Sequence, residues 1–230
     1  MRNILIILGG IAAIVVIAVG VYQWQGAPSV PPAAGVSAPA ATGPTAGAAE
    51  AAEIDPDDHV LGRADAPVTV IEYASLTCPH CRNFHEDVLP ELKAAYIDTG
   101  KVRLAYRDFP LDRAALAASM LARCAGRERY FAFLDLFFAR QEGWAQAQDP
   151  VTALARLAAL GGMAESEVDA CFRNEDIQKA ILGQRLEAEN AFSIDSTPSF
   201  VINGVKHSGG AGFEDFKAAI DPLLAEPASN

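Results

Sequence analysis

Val68-Thr69-Val70-Ile71-Glu72-Tyr73-Ala74-Ser75-Leu76-Thr77-Cys78-Pro79-His80-Cys81 is the stretch on which the fold turns. Its first seven residues are mostly apolar and β-branched and read as a buried strand. Beyond the cysteines, Phe84, Val88, Leu89, Leu92 and Tyr96 recur at spacings of three and four, the period of a helix with one apolar face. The two cysteines therefore sit where a strand turns into a helix, with Cys78 at the helix N-terminus. Free backbone N–H groups and the helix dipole favour an anion there, and the anion on offer is a thiolate. This is the chemistry of thiol–disulfide exchange.

Outward from this stretch the pattern alternates at both ends of the globular part and is helical between. The first helix is expected over about 79–98, kinked at Pro90, whose ring removes a backbone donor, and stopped at Gly100. A second strand is expected over about 102–107. A helical block follows at about 111–192. Its apolar faces are Ala114–Cys124; Tyr130, Phe133, Leu134, Phe137 and Phe138; Val151, Leu154, Leu157 and Leu160; Val168, Cys171 and Phe172; and the longer run Ile177–Phe192. Ser199–Ile202 and Val205–His207 read as a hairpin turned by Asn203-Gly204, and Phe213, Phe216, Ile220 and Leu223 mark a last amphipathic helix. Two βα pieces around a helical insertion make an α/β layout.

Upstream, Ile4 to Val21 is an unbroken apolar run behind Met1-Arg2-Asn3. Eighteen helical residues span about 27 Å, close to the roughly 30 Å hydrocarbon core of a bilayer. Tyr22 and Trp24 suit the far interface. An uncleaved anchor over 1–25 is expected, with a cleaved signal peptide as the alternative; Val21-Tyr22-Gln23-Trp24-Gln25 is a poor cleavage context. Residues 26–52 are rich in Ala, Pro and Gly, carry no charge before Glu50, and read as a flexible linker. The domain proper is expected over 53–230 and exported, facing the periplasm from the inner membrane, or soluble in the periplasm if the leader is cleaved.

The chain carries a net charge of −11. That balance argues against nucleic acid or an anionic membrane surface as a partner. All four cysteines lie in the exported part. An even number in an oxidising compartment suggests two pairs, one of them Cys78 with Cys81 by proximity.

Strand, Cys-Pro-His-Cys, helix, helical insertion and a late Thr197-Pro198-Ser199-Phe200-Val201-Ile202-Asn203-Gly204 together resemble the DsbA-like branch of the thioredoxin superfamily. The lead-in Val60-Leu61-Gly62-Arg63-Ala64-Asp65-Ala66-Pro67-Val68 resembles it too, and the likeness covers about Asp58 to Leu224. The resemblance implies a thioredoxin fold with a helical insertion. It also implies a monomeric extracytoplasmic disulfide oxidoreductase that acts on unfolded or extended exported proteins and is recharged by a membrane quinone reductase of the DsbB kind. No metal and no cofactor beyond the redox-active Cys78–Cys81 pair are expected.

In this reading Cys78 is the nucleophile. Cys81, one turn inside the helix, is the buried resolving thiol. The His80 imidazole donates to the Cys78 thiolate or stabilises it by charge. A Cys78 pKa near 4 would favour the reduced form by about 4 kcal/mol, about 90 mV towards an oxidising potential. Pro198 matches the family's cis-proline facing the disulfide, and Thr197 before it offers its backbone to an extended substrate. Glu72 places a charge in an apolar strand, which is costly unless used or paired; the resemblance puts an acid here beneath the disulfide, able to take a proton from Cys81. Related proteins often carry a second pair where Cys124 and Cys171 stand, and its closure would contribute about 4 kcal/mol by chain entropy; two free buried thiols are the alternative. His59, His85 and His207 read as surface or packing residues.

Two rival readings stay open. One is a reductase or isomerase of the same fold. The other is a non-catalytic module that binds a peptide or a metal; Cys78, Cys81 and His85 would supply three of the roughly four ligands that zinc needs.

Overall fold

The structure is a computed structural model, which describes residues 52–208 and 212–225. The anchor expected over 1–25, and nearly all of the linker expected over 26–52, lie outside them. Among the described residues no helix is long and apolar enough to cross a membrane.

A five-stranded sheet organises the domain, in the order β1-β3-β2-β4-β5. The strands are β1 (His59–Leu61), β2 (Val68–Ala74), β3 (Val102–Asp108), β4 (Ser199–Ile202) and β5 (Val205–Ser208). β2 and β3 run parallel, and the other neighbours are antiparallel. β2 is central and covered on both faces, which explains its apolar composition without clean alternation. On one face Val68 and Val70 pack with Leu104, Phe200 and Ile202 against α1 (79–97) and the terminal helix α8 (Phe213–Ala225), through Phe84, Leu89, Leu92, Phe216 and Ile220. On the other face Ile71, Tyr73, Ala105 and Val201 meet Ala188 and Phe192 of α7 (Glu175–Phe192).

Pro90 leaves its mark on α1. The helix widens to π-helical turns at Phe84–Val88 and Lys93–Ile97, on either side of a short α-helical Leu89–Leu92. The Leu89 N–H reaches back five residues to the Phe84 carbonyl. A proline has no N–H to give the carbonyl four residues earlier, and widened turns on either side of Pro90 absorb the mismatch. Gly100, at φ +76°, turns the chain out of the helix.

The insertion comprises α2 (Arg113–Cys124), α3 (Tyr130–Ala139), α4 (Gln141–Ala145), α5 (Pro150–Leu160), α6 (Glu165–Phe172) and α7. It closes over the end of the sheet where Leu76 and Cys81 lie, with Tyr130, Phe133, Phe137 and Phe138 in the shared core. Cys124 and Cys171 are joined by a disulfide with Cα atoms 6.0 Å apart, tying the end of α2 to α6. The segment before β1 is held by a buried ion pair: Arg107 donates to Asp58 at 2.7 Å, and also to Tyr73 and the Glu53 carbonyl.

The Asn203-Gly204 turn has positive φ at both residues, 44° and 84°, as a two-residue hairpin turn requires. Asn203 exchanges two hydrogen bonds with Thr69, at 2.8 and 2.9 Å, fixing β4 against the start of β2.

Asp112 caps α2 by accepting from the Ala115 N–H at 2.8 Å, and it also accepts from the Thr77 hydroxyl at 2.7 Å, next to Cys78. Asp112→Ala should therefore cost about 1–2 kcal/mol in denaturant unfolding, towards the upper range for a lost helix cap. A loss below about 0.3 kcal/mol would mean that water replaces both bonds.

Candidate active site

The loop from β2 to α1 is built to hold Cys78 still. The Cys78 N–H donates to the Ser75 carbonyl at 3.0 Å, and the Ser75 and Thr77 hydroxyls lie 3.1 Å apart. From the insertion, buried Gln141 donates both amide protons, one to the Leu76 carbonyl at 2.9 Å and one to the Cys78 carbonyl at 3.0 Å. Gln141 has no counterpart in the sequence reading. It sits in a five-residue helix too short to show periodicity, and only its contact with the loop reveals its part.

Cys78 and Cys81 are free thiols, 5% and 0% exposed. Pro79 is the first residue of α1 and Cys78 its extended N-cap. Across the site the Thr197–Pro198 peptide is cis, and its Thr197 carbonyl lies 3.2 Å from Cys78 Sγ. The two thiols differ sharply in acidity. Cys78 is lowered to about 5, chiefly by the Cys81 thiol donating to it. Burial opposes this, and Thr197 and the backbone N–H groups of Cys81 and His80 add to it. Cys81 is pushed well above the ordinary thiol range, first by burial, then by Cys78 and by the Glu72 charge.

The His80 side chain is exposed, and its backbone N–H adds to the lowering of Cys78. The reason is geometric: in the first helical turn the backbone donors point to the N-cap, while side chains splay outward.

Glu72 is fully buried, and its charge acts on Cys81. The sequence reading missed its partner. Of the surface or packing roles expected for His85 the structure shows the buried one: its side chain is 3% exposed, and its Nε2 lies 3.0 and 3.2 Å from the two Glu72 oxygens. Two signals could have found it: a charge in a buried strand calls for a partner, and His85 stands four residues after Cys81, on the same side of the helix. His59 is half-buried and stacked on Tyr130, and it is lowered to about 4, first by burial and then by Arg123. His207 is exposed on β5.

A reactive low-pKa thiol, a buried partner thiol, a cis-proline opposite and an acid beneath are the parts of a disulfide-exchange centre. The thioredoxin family model Thioredoxin_4 matches residues 55–222. The chain belongs to the DsbA-like thioredoxin family. It is similar to α-DsbA1 of Wolbachia pipientis, with 36% identity and a TM-score of 0.72 over 77% of this chain and 96% of that one. A protein-disulfide isomerase of Novosphingobium aromaticivorans is similar at 26% identity and a TM-score of 0.66, covering 74% and 98% of the two chains. A Rickettsia felis protein provisionally named a protein-disulfide oxidoreductase is 34% identical over 76% of this chain, which spans 63% of that relative's length.

Proposed function

We propose that this DsbA-like chain is a thiol–disulfide oxidase that passes the Cys78–Cys81 disulfide to exported proteins. The observation that carries the reading is the opposed acidity of the two thiols, about 5 at Cys78 and well above the ordinary range at Cys81. A thiolate stabilised by two units below neutral pH favours the reduced form by about 3 kcal/mol, or about 60 mV towards an oxidising potential. That is less than expected for a pKa of 4, in the same direction. A stabilised thiolate is also a good leaving group, so the Cys78–Cys81 disulfide is readily donated.

The site supplies each step. A substrate thiolate attacks Cys78 Sγ, forming a mixed disulfide, and the electron pair leaves on Cys81, which takes a proton. A second substrate thiolate then attacks the substrate's own sulfur, and Cys78 leaves as thiolate. Thr197-Pro198 lies across from Cys78, so an extended substrate segment can lie along it with its sulfur in reach. Recharging is assigned to a membrane quinone reductase of the DsbB kind, the location to the periplasmic face of the inner membrane, and the working form to a monomer. The apolar run Ile4–Val21 and the family membership support these.

The test is oxidative refolding of a reduced, unfolded two-disulfide protein by the oxidised chain, with the Cys78–Cys81 potential measured against glutathione. Stoichiometric disulfide transfer and a potential well above the thioredoxin value of about −270 mV are expected. A potential at or below that value would replace the oxidase with the reductase reading.

A further inference from the structure

Each turn of such a centre moves one proton onto Cys81 and, on recharging, one proton off it. Cys81 and Glu72 are both 0% exposed, so this proton has no direct outlet to solvent. His85 Nε2 holds both Glu72 oxygens. Its other nitrogen, Nδ1, is buried and has no hydrogen-bond partner among the described residues, and the same is true of the Tyr106 and Tyr130 hydroxyls and of Asp108 Oδ1. An unpartnered buried polar atom costs about 1–3 kcal/mol. Several in neighbouring side chains mark a place for ordered water, which typically makes about three hydrogen bonds to such groups.

These groups form a row. The His85 and Tyr106 ring centroids are 5.7 Å apart, those of Tyr106 and Tyr130 6.1 Å, and Tyr130 stacks on His59 at 3.5 Å. His59 lies in the wall of a cavity of about 990 Å³ with Arg123 and Gln184. The charged and titratable groups facing the row are Glu72 on β2, Cys81 on α1, Asp108 on β3, Arg123 on α2, Asp58 before β1 and Arg127 after α2, with Arg123 paired to Asp108 at 2.7 Å. Burial, then Asp108, holds both phenols well above their ordinary pKa. They stay neutral hydroxyls, able to accept one proton and donate another.

We propose that His85, Tyr106 and Tyr130, joined by buried water, carry the Cys81 proton between Glu72 and the cavity at His59. The inference rests on the exchange reading above. When substrate attacks Cys78, the Cys78–Cys81 bond breaks and the Cys81 sulfur takes a proton that the row delivers through Glu72, leaving Glu72 a carboxylate ready to receive it back. On recharging, Cys78 attacks a disulfide of the oxidant. Cys81 then returns the proton to Glu72 and attacks Cys78, and the oxidant's thiolate leaves. His85 is a positioning residue for Glu72 and the first member of the route.

The test uses the full chain as wild type, Tyr106→Phe, Tyr130→Phe and His85→Gln. The mixed disulfide of Cys78 with glutathione is made, and release of glutathione as Cys81 closes is followed by stopped flow across pH, in H2O and D2O. Each tyrosine variant removes only an unpartnered hydroxyl, so the fold and the Cys78 titration near pH 5 should persist. Closure should slow about tenfold, below the usual range for a lost proton-transfer group because water remains, with a larger solvent isotope effect. His85→Gln should slow it further and shift its pH profile. Unchanged closure rates and isotope effects in both tyrosine variants would overturn the route, whatever His85→Gln does. A wild type that transfers no disulfide at all would instead overturn the exchange reading.

Discussion

Cys78→Ser should abolish disulfide transfer, and Cys81→Ser should stop it half-way. At pH 7 a thiol with a pKa of about 5 is almost wholly thiolate, whereas one at the ordinary value of 9.0 is about 1% ionised, so attack is concentrated on Cys78 by roughly a hundredfold. Serine has no such anion, and no other free cysteine exists to replace it. In the Cys81→Ser chain, the Cys78 thiolate attacks a disulfide normally, but no second thiol releases the product. The mixed disulfide should therefore accumulate, visible as a mass adduct that reductant removes. Residual turnover in Cys78→Ser, or a Cys81→Ser chain that never holds an adduct, would contradict the assignment of nucleophile and resolving thiol.

The second large effect is an inversion of the usual influence of a disulfide on stability. Closing Cys78–Cys81 shuts a loop of only a few residues, which stabilises by about 2 kcal/mol through chain entropy. Opening it frees a Cys78 thiolate that the fold stabilises. Because the folded pKa, about 5, lies below the unfolded one, that contribution is complete above about pH 9 and is lost as pH falls towards 5. It amounts to about 3 kcal/mol at pH 7 and about 5 kcal/mol near pH 9. The reduced protein should thus be the more stable form above about pH 6.5, and the oxidised protein below it. Above pH 9 the buried Cys81, whose pKa is raised, works in the opposite sense. Urea unfolding of both forms between pH 5 and 9, with Cys124–Cys171 left closed, measures the crossing. An oxidised form that is more stable throughout would remove the thermodynamic basis for disulfide donation.

The sequence showed the centre of this molecule better than its margins. β2, the cysteine pair and α1 were readable because an apolar, β-branched run gives way to a period-3.6 pattern at Cys78. The Asn203-Gly204 hairpin was readable because few dipeptides suit two positive φ angles. β1 was not, because three residues are too few to show alternation, and its place beside β3 depends on residues more than forty positions away. Glu72 announced a need without naming who meets it. The answer, His85, adjoins Phe84 in an apolar helix, and its spacing of four from Cys81 was the one local hint that it turns towards β2. The imidazole of His80 was read from its neighbourhood in sequence, and the fold adds a backbone donor from the same residue that no sequence pattern announces.

On the proposed function the chain meets unfolded polypeptides, and the borders of this sheet bear on the risk of being drawn into their aggregates. The outer strands β1 and β5 are three and four residues long. Lys206, on β5, extends its ammonium to the Ser193 carbonyl at 2.6 Å. Borders this short, one of them bearing a lysine, offer too few free backbone groups to pair with an added strand. On the proposed function, encounters with sticky polypeptides would thereby be directed away from backbone pairing at the rim and towards the sulfur, where release is part of the chemistry.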